Sequence, residues 1–313
     1  MEGVFRVRRS CLAVPASSER FIAKARGLAA DEVFLDLEDA VAPSAKEQAR
    51  ANAAVAVGGG WGGRVVAVRV NDACTGWAHR DVLAVVSGAG RADVIVLPKV
   101  TSPDHVVWLD LLLGQVEREA GLPVGVTGIE AQIEDPRGLA AVNAIAAASP
   151  RLEALVFGPA DFMASVGIRS LEAGGQPAGY AGDVYHYALM RILVAARSHD
   201  LQAIDGPYLK VRDVEGFRRS AVSAAALGFD GKWVLHPDQI EAANEVFAPS
   251  PAEYSRAVAI LAAYSQATTV QARGAVMLGE EMIDEASRKM AAAVVARGNA
   301  VGFIPGQNTG TPE

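Results

Sequence analysis

Cysteine is scarce in this chain of 313 residues. Cys11 and Cys74 are too few for a disulfide framework or a thiolate cluster, so a reducing, cytoplasmic setting is expected. Histidine is sparse too, and none of His79, His105, His186, His199 and His236 stands at metal-ligand spacing to another, which argues against zinc. No apolar run reaches the ~18 residues needed to span a bilayer. The apolar stretch after the basic Arg6, Arg8 and Arg9 stops at Pro15, too short for a signal peptide. Positive charge is in deficit: 29 Lys and Arg against 36 Asp and Glu leave −7, which argues against nucleic acid as a partner. Nor does a G-x-G-x-x-G follow a first strand. The run Gly58-Gly59-Gly60-Trp61-Gly62-Gly63 precedes a strand instead of opening a helix, and reads as a flexible connection. What the chain does have is core: 51% hydrophobic and 21% charged residues exclude wholesale disorder. At ~100–200 residues per domain, one large domain or one domain with an appendage is expected.

Short β-rich runs alternate with Ala-rich helical stretches. The strands are expected at residues 10–14, 33–37, 65–70, 94–97, 124–133, 155–157, 202–204 and 232–235. Helical periodicity marks 18–28, 45–56, 103–120, 139–148, 184–198 and 215–227. The strands are near-continuous Val/Ile/Leu runs, as in a parallel sheet covered on both faces. Eight strand–helix units predict an α/β protein, a (β/α)8 TIM barrel over residues 1–250. After Pro249-Ser250-Pro251 the texture changes to a helix near 252–266, a short stretch at 274–278 and a helix near 284–297. Residues 251–313 are read as a C-terminal extension, with a frayed polar tail at 306–313.

In such a barrel the chemistry sits at the C-terminal ends of the strands. Polar residues expected there are Asp36, Glu38 and Asp39, then Arg69, Lys99, Glu134, Asp161, Asp205 and His236. Buried unpaired charges are costly, so this set should be mutually paired or metal-bound. Glu134 and Asp161 lie 27 positions apart, about one repeat, and two hard carboxylates suit Mg2+. The same pair also reads as an ordinary salt-bridge or cap pair. Asp36, Glu38 and Asp39 read equally as an N-cap cluster for a helix starting near Ser44. Arg69, inside an apolar strand, requires an anionic partner. Lys99 reads as snorkelling to the rim, His236 as a turn residue and Asp284 as an N-cap. Trp61, Trp77, Trp108 and Trp233 read as core or interface, and both cysteines as packing.

Ten segments in order then carry a resemblance. They are Arg9-Ser10 through Pro15-Ala16-Ser17-Ser18-Glu19-Arg20-Phe21, Asp36-Leu37-Glu38-Asp39-Ala40-Val41, Val68-Arg69-Val70-Asn71 and Leu97-Pro98-Lys99-Val100. Next come Ile133-Glu134-Asp135-Pro136-Arg137-Gly138-Leu139, Phe157-Gly158-Pro159-Ala160-Asp161, Gln202-Ala203-Ile204-Asp205-Gly206-Pro207 and Gly228-Phe229-Asp230-Gly231-Lys232. Leu235-His236-Pro237-Asp238-Gln239-Ile240 and Met282-Ile283-Asp284 complete the series. The chain resembles the HpcH/HpaI aldolase/citrate lyase β-subunit family over roughly residues 8–300, and within it the malyl-CoA, β-methylmalyl-CoA and citramalyl-CoA lyases. Ala16 and Gly279-Glu280-Glu281 depart from the pattern of many relatives.

The resemblance implies roles. Glu134 and Asp161 would bind Mg2+, or Mn2+ in its place, and Arg69 would hold the acyl carbonyl or oxo-acid oxygen. Glu38 and Asp39 would orient water at the metal and the substrate's small end. Arg9, Arg20 and Phe21 would lie where coenzyme A binds. Asp284 would be the acid/base, delivered by a C-terminal extension that acts as a lid or a subunit-swapped element of a homotrimer or homohexamer. The implied reaction is reversible retro-Claisen cleavage of a 3-hydroxyacyl-CoA into acetyl-CoA or propionyl-CoA plus glyoxylate or pyruvate. Three rivals stand beside it: a malyl-CoA or citramalyl-CoA thioesterase, a citrate lyase β subunit acting on a protein-borne citryl group, and a non-catalytic scaffold. No nucleic-acid or membrane partner is expected.

Overall fold

The computed structural model describes residues 6–304 except 89, 171, 173, 271 and 272, and the expected tail at 306–313 lies outside the described residues. Eight parallel strands close into a barrel in sequence order, as a (β/α)8 fold requires. β1 (Ser10–Pro15) leads into α1 (Glu19–Ala25), β2 (Glu32–Asp36) into α2 (Lys46–Ala56), β3 (Val65–Arg69) into α3 (Ala78–Val86) and β4 (Val94–Leu97) into α4 (Pro103–Glu119). β5 (Gly128–Ile133) is followed by two short helices, α5 (Pro136–Ala140) and α6 (Val142–Ala146). β6 (Leu152–Phe157) leads into α7 (Pro159–Ser165) and α8 (His186–Ser198), β7 (Gln202–Asp205) into α9 (Val214–Leu227), and β8 (Gly231–Val234) into α10 (Ile240–Val246). β8 closes on β1 with Ser10 opposite Lys232. Side-chain caps from Ser18, Ser102, Asp135 and Asp213 start α1, α4, α5 and α9.

Successive strand residues face opposite sides, and the barrel interior therefore reads as layers. Along β2, Glu32, Phe34 and Asp36 point inward, while Val33 and Leu35 pack outward against the helices. The middle layer is apolar and includes Cys11, Phe34, Ala67, Val96, Ile204 and Trp233. Charges occupy the layers above and below it. At the floor, buried Arg8 meets Glu32 at 2.9 Å, Glu130 at 2.7 Å, and also Glu153 and Gln202. Arg6 shares Glu153 at 3.1 Å and faces Asp93 at 3.8 Å.

Burial pushes the Glu130 carboxyl well above its ordinary range; Glu32 adds to the push and Arg8 opposes it. The proton on such a group stabilises the fold below the unfolded carboxylate value of about 4.3, and that contribution is lost as the pH rises through the raised folded value. Glu130→Gln keeps the shape without the charge. It is expected to gain stability relative to the wild type as the pH rises above the unfolded carboxylate value of about 4.3, read as the difference in urea midpoints. Parallel pH dependences for the two proteins would contradict a protonated Glu130.

The chain divides into two compact units between Phe247 and Ala248. The second begins with α11 (Pro251–Thr269), started by a capping box between Ser250 and Glu253. An antiparallel pair, β9 (Val276–Leu278) and β10 (Glu281–Ile283), then turns at Gly279, whose φ of +63° suits glycine. α12 (Glu285–Ala300) packs on α11: Tyr254 donates to Asn299 at 2.6 Å, and its ring fills the space that a Cβ on Gly298 would occupy. No described helix is long and apolar enough to cross a membrane.

Candidate active site

The site grows from the strand exits. Asp36 and Arg69 are register partners at the ends of β2 and β3. Arg69 donates through Nε and Nη2 to the two Asp36 oxygens, at 2.8 and 2.7 Å, and lies 5.3 Å over the Trp233 ring. Asp36 also accepts the backbone N–H groups of Glu38 and Ala40, at 2.9 and 3.2 Å. Its carboxylate thus organises the turn after β2 as well as fixing the guanidinium. Lys46 holds that turn from below by donating to the carbonyls of Leu37 and Glu38, at 2.7 and 2.6 Å. The carboxylates of Asp36, Glu38 and Asp39 are not the N-cap of α2, which starts from Ala45 without a side-chain cap.

Glu38 is buried between Arg69 Nη1 at 3.3 Å and the Lys99 ammonium, which reaches Asp39 at 3.1 Å as well. Burial raises the Glu38 carboxyl despite Arg69 and Lys99. For the half-exposed Asp39, burial is outweighed by Lys99 and the group is held below its ordinary range. Lys99 does not simply snorkel into solvent; its side chain is committed to these two acids.

Glu134 leaves β5 on the inward face, fully buried. Its Oε1 accepts from the Lys99 backbone N–H at 2.8 Å, and its Oε2 from Gln132 Nε2 at 2.6 Å. A Cβ on Gly158 would lie 2.4 Å from that Oε2, so the exit of β6 needs glycine to let Glu134 in. Burial pushes Glu134 up to about 8; the Lys99 N–H and the Arg69 charge pull it down, while Asp161 and Glu38 push it further up.

The acids at the strand exits divide into those with a cation and those without. Asp36 belongs to Arg69, Glu38 and Asp39 to Lys99, and Asp135 to Arg137. Asp205, expected at the rim, is paired with buried Lys232 beside the Phe217 ring. Among the described residues, Glu134 and Asp161 are strand-exit carboxylates without an ion pair that line both cavities of the mouth; Asp72, after β3, also lacks one but lines the second cavity alone. No group of three His, Cys, Asp or Glu side chains there could hold a metal. Two oxygen ligands facing a cavity fit an ion that fills its other positions from substrate and solvent, as Mg2+ does.

Both residues line two cavities. One, of about 390 Å3, is the barrel mouth, walled by Arg69, Gln132 and the apolar Ala13, Phe34, Trp233 and Leu235. The other, of about 530 Å3, opens toward Asp72, Lys99, His105 and Ser165. Gln132 was not anticipated as a site residue. Its amide holds Glu134, and its Oε1 is buried without a hydrogen-bond partner.

Arg20 and Phe21 sit in α1, just after β1, with the Arg20 guanidinium 5.0 Å from the exposed Phe21 ring. Arg9 precedes β1 at the opposite end of the barrel, bound to Asp31 at 2.8 and 2.9 Å and to the Asn244 carbonyl at 3.3 Å. A six-residue strand separates it from the rim by about 20 Å. Asp284 belongs to the second unit, where its carboxylate caps α12 by accepting from Ser287 N at 3.0 Å. That N–H holds Asp284 below its ordinary range. His236 caps the turn that follows β8 and accepts from Asp238 N at 3.3 Å.

The profile of the HpcH/HpaI aldolase/citrate lyase family matches residues 9–237. An L-malyl-CoA/β-methylmalyl-CoA lyase of Cereibacter sphaeroides (strain ATCC 17029 / ATH 2.4.9) is 38% identical over 307 residues, covering 95% of this chain and 96% of the relative. A (3S)-malyl-CoA thioesterase of Cereibacter sphaeroides (strain ATCC 17025 / ATH 2.4.3) is 37% identical over 260 residues, covering 83% and 84%. The crystal structure of CitE from Mycobacterium tuberculosis, in complex with magnesium, acetoacetate and coenzyme A, superposes with a TM-score of 0.74 at 28% identity, covering 94% of this chain and 98% of that one. A barrel whose mouth gathers these acids around one arginine, matched to such relatives along nearly its whole length, belongs to the HpcH/HpaI aldolase/citrate lyase family and is a carbon–carbon lyase.

Proposed function

We propose that the chain is a Mg2+-dependent CoA-ester lyase that cleaves L-malyl-CoA or β-methylmalyl-CoA into glyoxylate and acetyl-CoA or propionyl-CoA. The observation that carries this reading is that Glu134 and Asp161, two carboxylates without an ion pair, line the same cavity as Arg69. Bound between them, Mg2+ would supply a Lewis acid for the oxygens of the oxo-acid half. The chain's own residues do the rest. Asp36 and the Trp233 ring hold Arg69 rigid, so its charge can meet the oxygen on which negative charge develops as Cα–Cβ breaks. As that bond breaks, the hydroxyl gives its proton to solvent and becomes a carbonyl, and the electron pair passes to the thioester enolate. The enolate carbon then takes up a proton through Asp284 to give the acyl-CoA. The apolar wall of Ala13, Phe34, Trp233 and Leu235 keeps water from the thioester carbonyl. Arg20 and Phe21 are assigned to coenzyme A, and Glu38 and Asp39 to ordering the small end of the substrate. Asp284 is assigned the α-carbon proton. Its ionised form, favoured by the cap, is the one that removes this proton in the condensing direction.

One second reading has a specific observation behind it, the thioesterase relative at 37% identity. Product analysis separates the two. Incubation of malyl-CoA with enzyme and Mg2+ is expected to give glyoxylate and acetyl-CoA with no free thiol. Stoichiometric free CoA with malate would mean hydrolysis instead.

A further inference from the structure

We propose that Lys99 is a positioning residue that sorts the carboxylates of the barrel mouth: its ammonium occupies Glu38 and Asp39, while its backbone N–H turns Glu134 toward the cation. The proposal rests on the cation reading above. Lys99 has φ +52°, the left-handed region that non-glycine residues rarely enter and that clusters at functional sites. That conformation brings the chain leaving β4 across the end of β5, where Lys99 N reaches Glu134 Oε1 at 2.8 Å and Val100 N reaches the Gln132 carbonyl at 3.2 Å. The crossing is clamped from the other side, because a Cβ on Gly138 would lie 2.1 Å from the Val100 carbonyl oxygen. Glycine would adopt this φ without strain. A lysine there places a cation on the two acids next to the site and none on Glu134 or Asp161, which line the cavity of Arg69. Unneutralised, Glu38 and Asp39 would add negative charge beside the ion and compete with the anionic substrate for it and for Arg69.

The test titrates Mn2+ alone into the full-length wild type, Lys99→Met, Lys99→Gly and Lys99→Arg by calorimetry, alongside melting curves and steady-state kinetics. Releasing two carboxylates is expected to tighten Mn2+ binding in Lys99→Met and Lys99→Gly by about fivefold or more, since affinity follows ligand charge. Their kcat is expected to fall by about tenfold or more, while Lys99→Arg tracks the wild type in both. A merely structural role would lower the melting temperature and leave Mn2+ affinity unmoved. Affinity within about twofold of wild type in folded Lys99→Met or Lys99→Gly overturns the proposal. Absence of Mn2+ binding in the wild type overturns the cation reading, and this proposal with it.

Discussion

Glu134→Ala and Asp161→Ala are each expected to lower malyl-CoA cleavage by at least about a thousandfold, because the lost electrophile is worth several kcal/mol at the transition state and ~4 kcal/mol is a factor of a thousand. The residual rate should no longer respond to Mg2+ or to EDTA. Stability should move little or in the opposite direction. Glu134 is pushed up to about 8 chiefly by burial, so removing it lifts a desolvation cost even as the Lys99 N–H and the Gln132 amide lose an acceptor. A melting temperature near or above that of the metal-free wild type, together with lost activity, separates a ligand from a scaffold residue. A variant retaining full, Mg2+-responsive activity would remove the electrophile from the account.

Arg69→Met should be damaging in two ways. It strands Asp36, which is 2% exposed and otherwise receives two guanidinium hydrogen bonds. Breaking one side of a buried pair costs about 3–5 kcal/mol, or roughly 10 °C in melting temperature for a barrel of this size. Cleavage should fall by about a hundredfold or more from the lost charge stabilisation. Arg69→Met combined with Asp36→Asn isolates the second effect, since it removes the stranded charge while an amide oxygen can still accept the Glu38 N–H. Thermal scans and kcat of the double variant are expected to show recovered stability and unrecovered activity. Recovery of both would make Arg69 a structural residue.

Much of this was legible in the sequence because a parallel barrel leaves local marks. β3 and β4 are compact apolar runs, and Arg69, ending one, and Lys99, following the other, lie at the active rim. The partner that Arg69 requires is Asp36, across the β2–β3 register. The layering of the interior was not read, although Glu130-Ala131-Gln132-Ile133-Glu134 alternates polar and apolar at the period of a strand and puts all three polar residues on one face. Reading β5 as continuously apolar hid both the floor and the role of Gln132.

The expected strand at 124–133 begins at Gly128, because the buried Glu117 carboxylate takes the N–H groups of Gly125 and Thr127 that a ladder would have used. α3 lacked a start signal, since Trp77 offers no cap. The break between α5 and α6 at Ala141 has no mark in the sequence. Asp205 ends β7 at the expected rim, but it follows the inward Ile204 and turns outward to Lys232. Position along a strand gives the end of the barrel a residue occupies only once the strand boundary is known, and facing inward or outward depends on a shift of one residue.

Anomalous diffraction from crystals soaked in Mn2+ would locate the ion that Glu134 and Asp161 are proposed to hold. A single strong peak at the barrel mouth beside both carboxylates is expected, with solvent or substrate completing the coordination. No peak at that position in fully soaked crystals, or a peak held by Glu38 and Asp39 instead, would contradict that assignment.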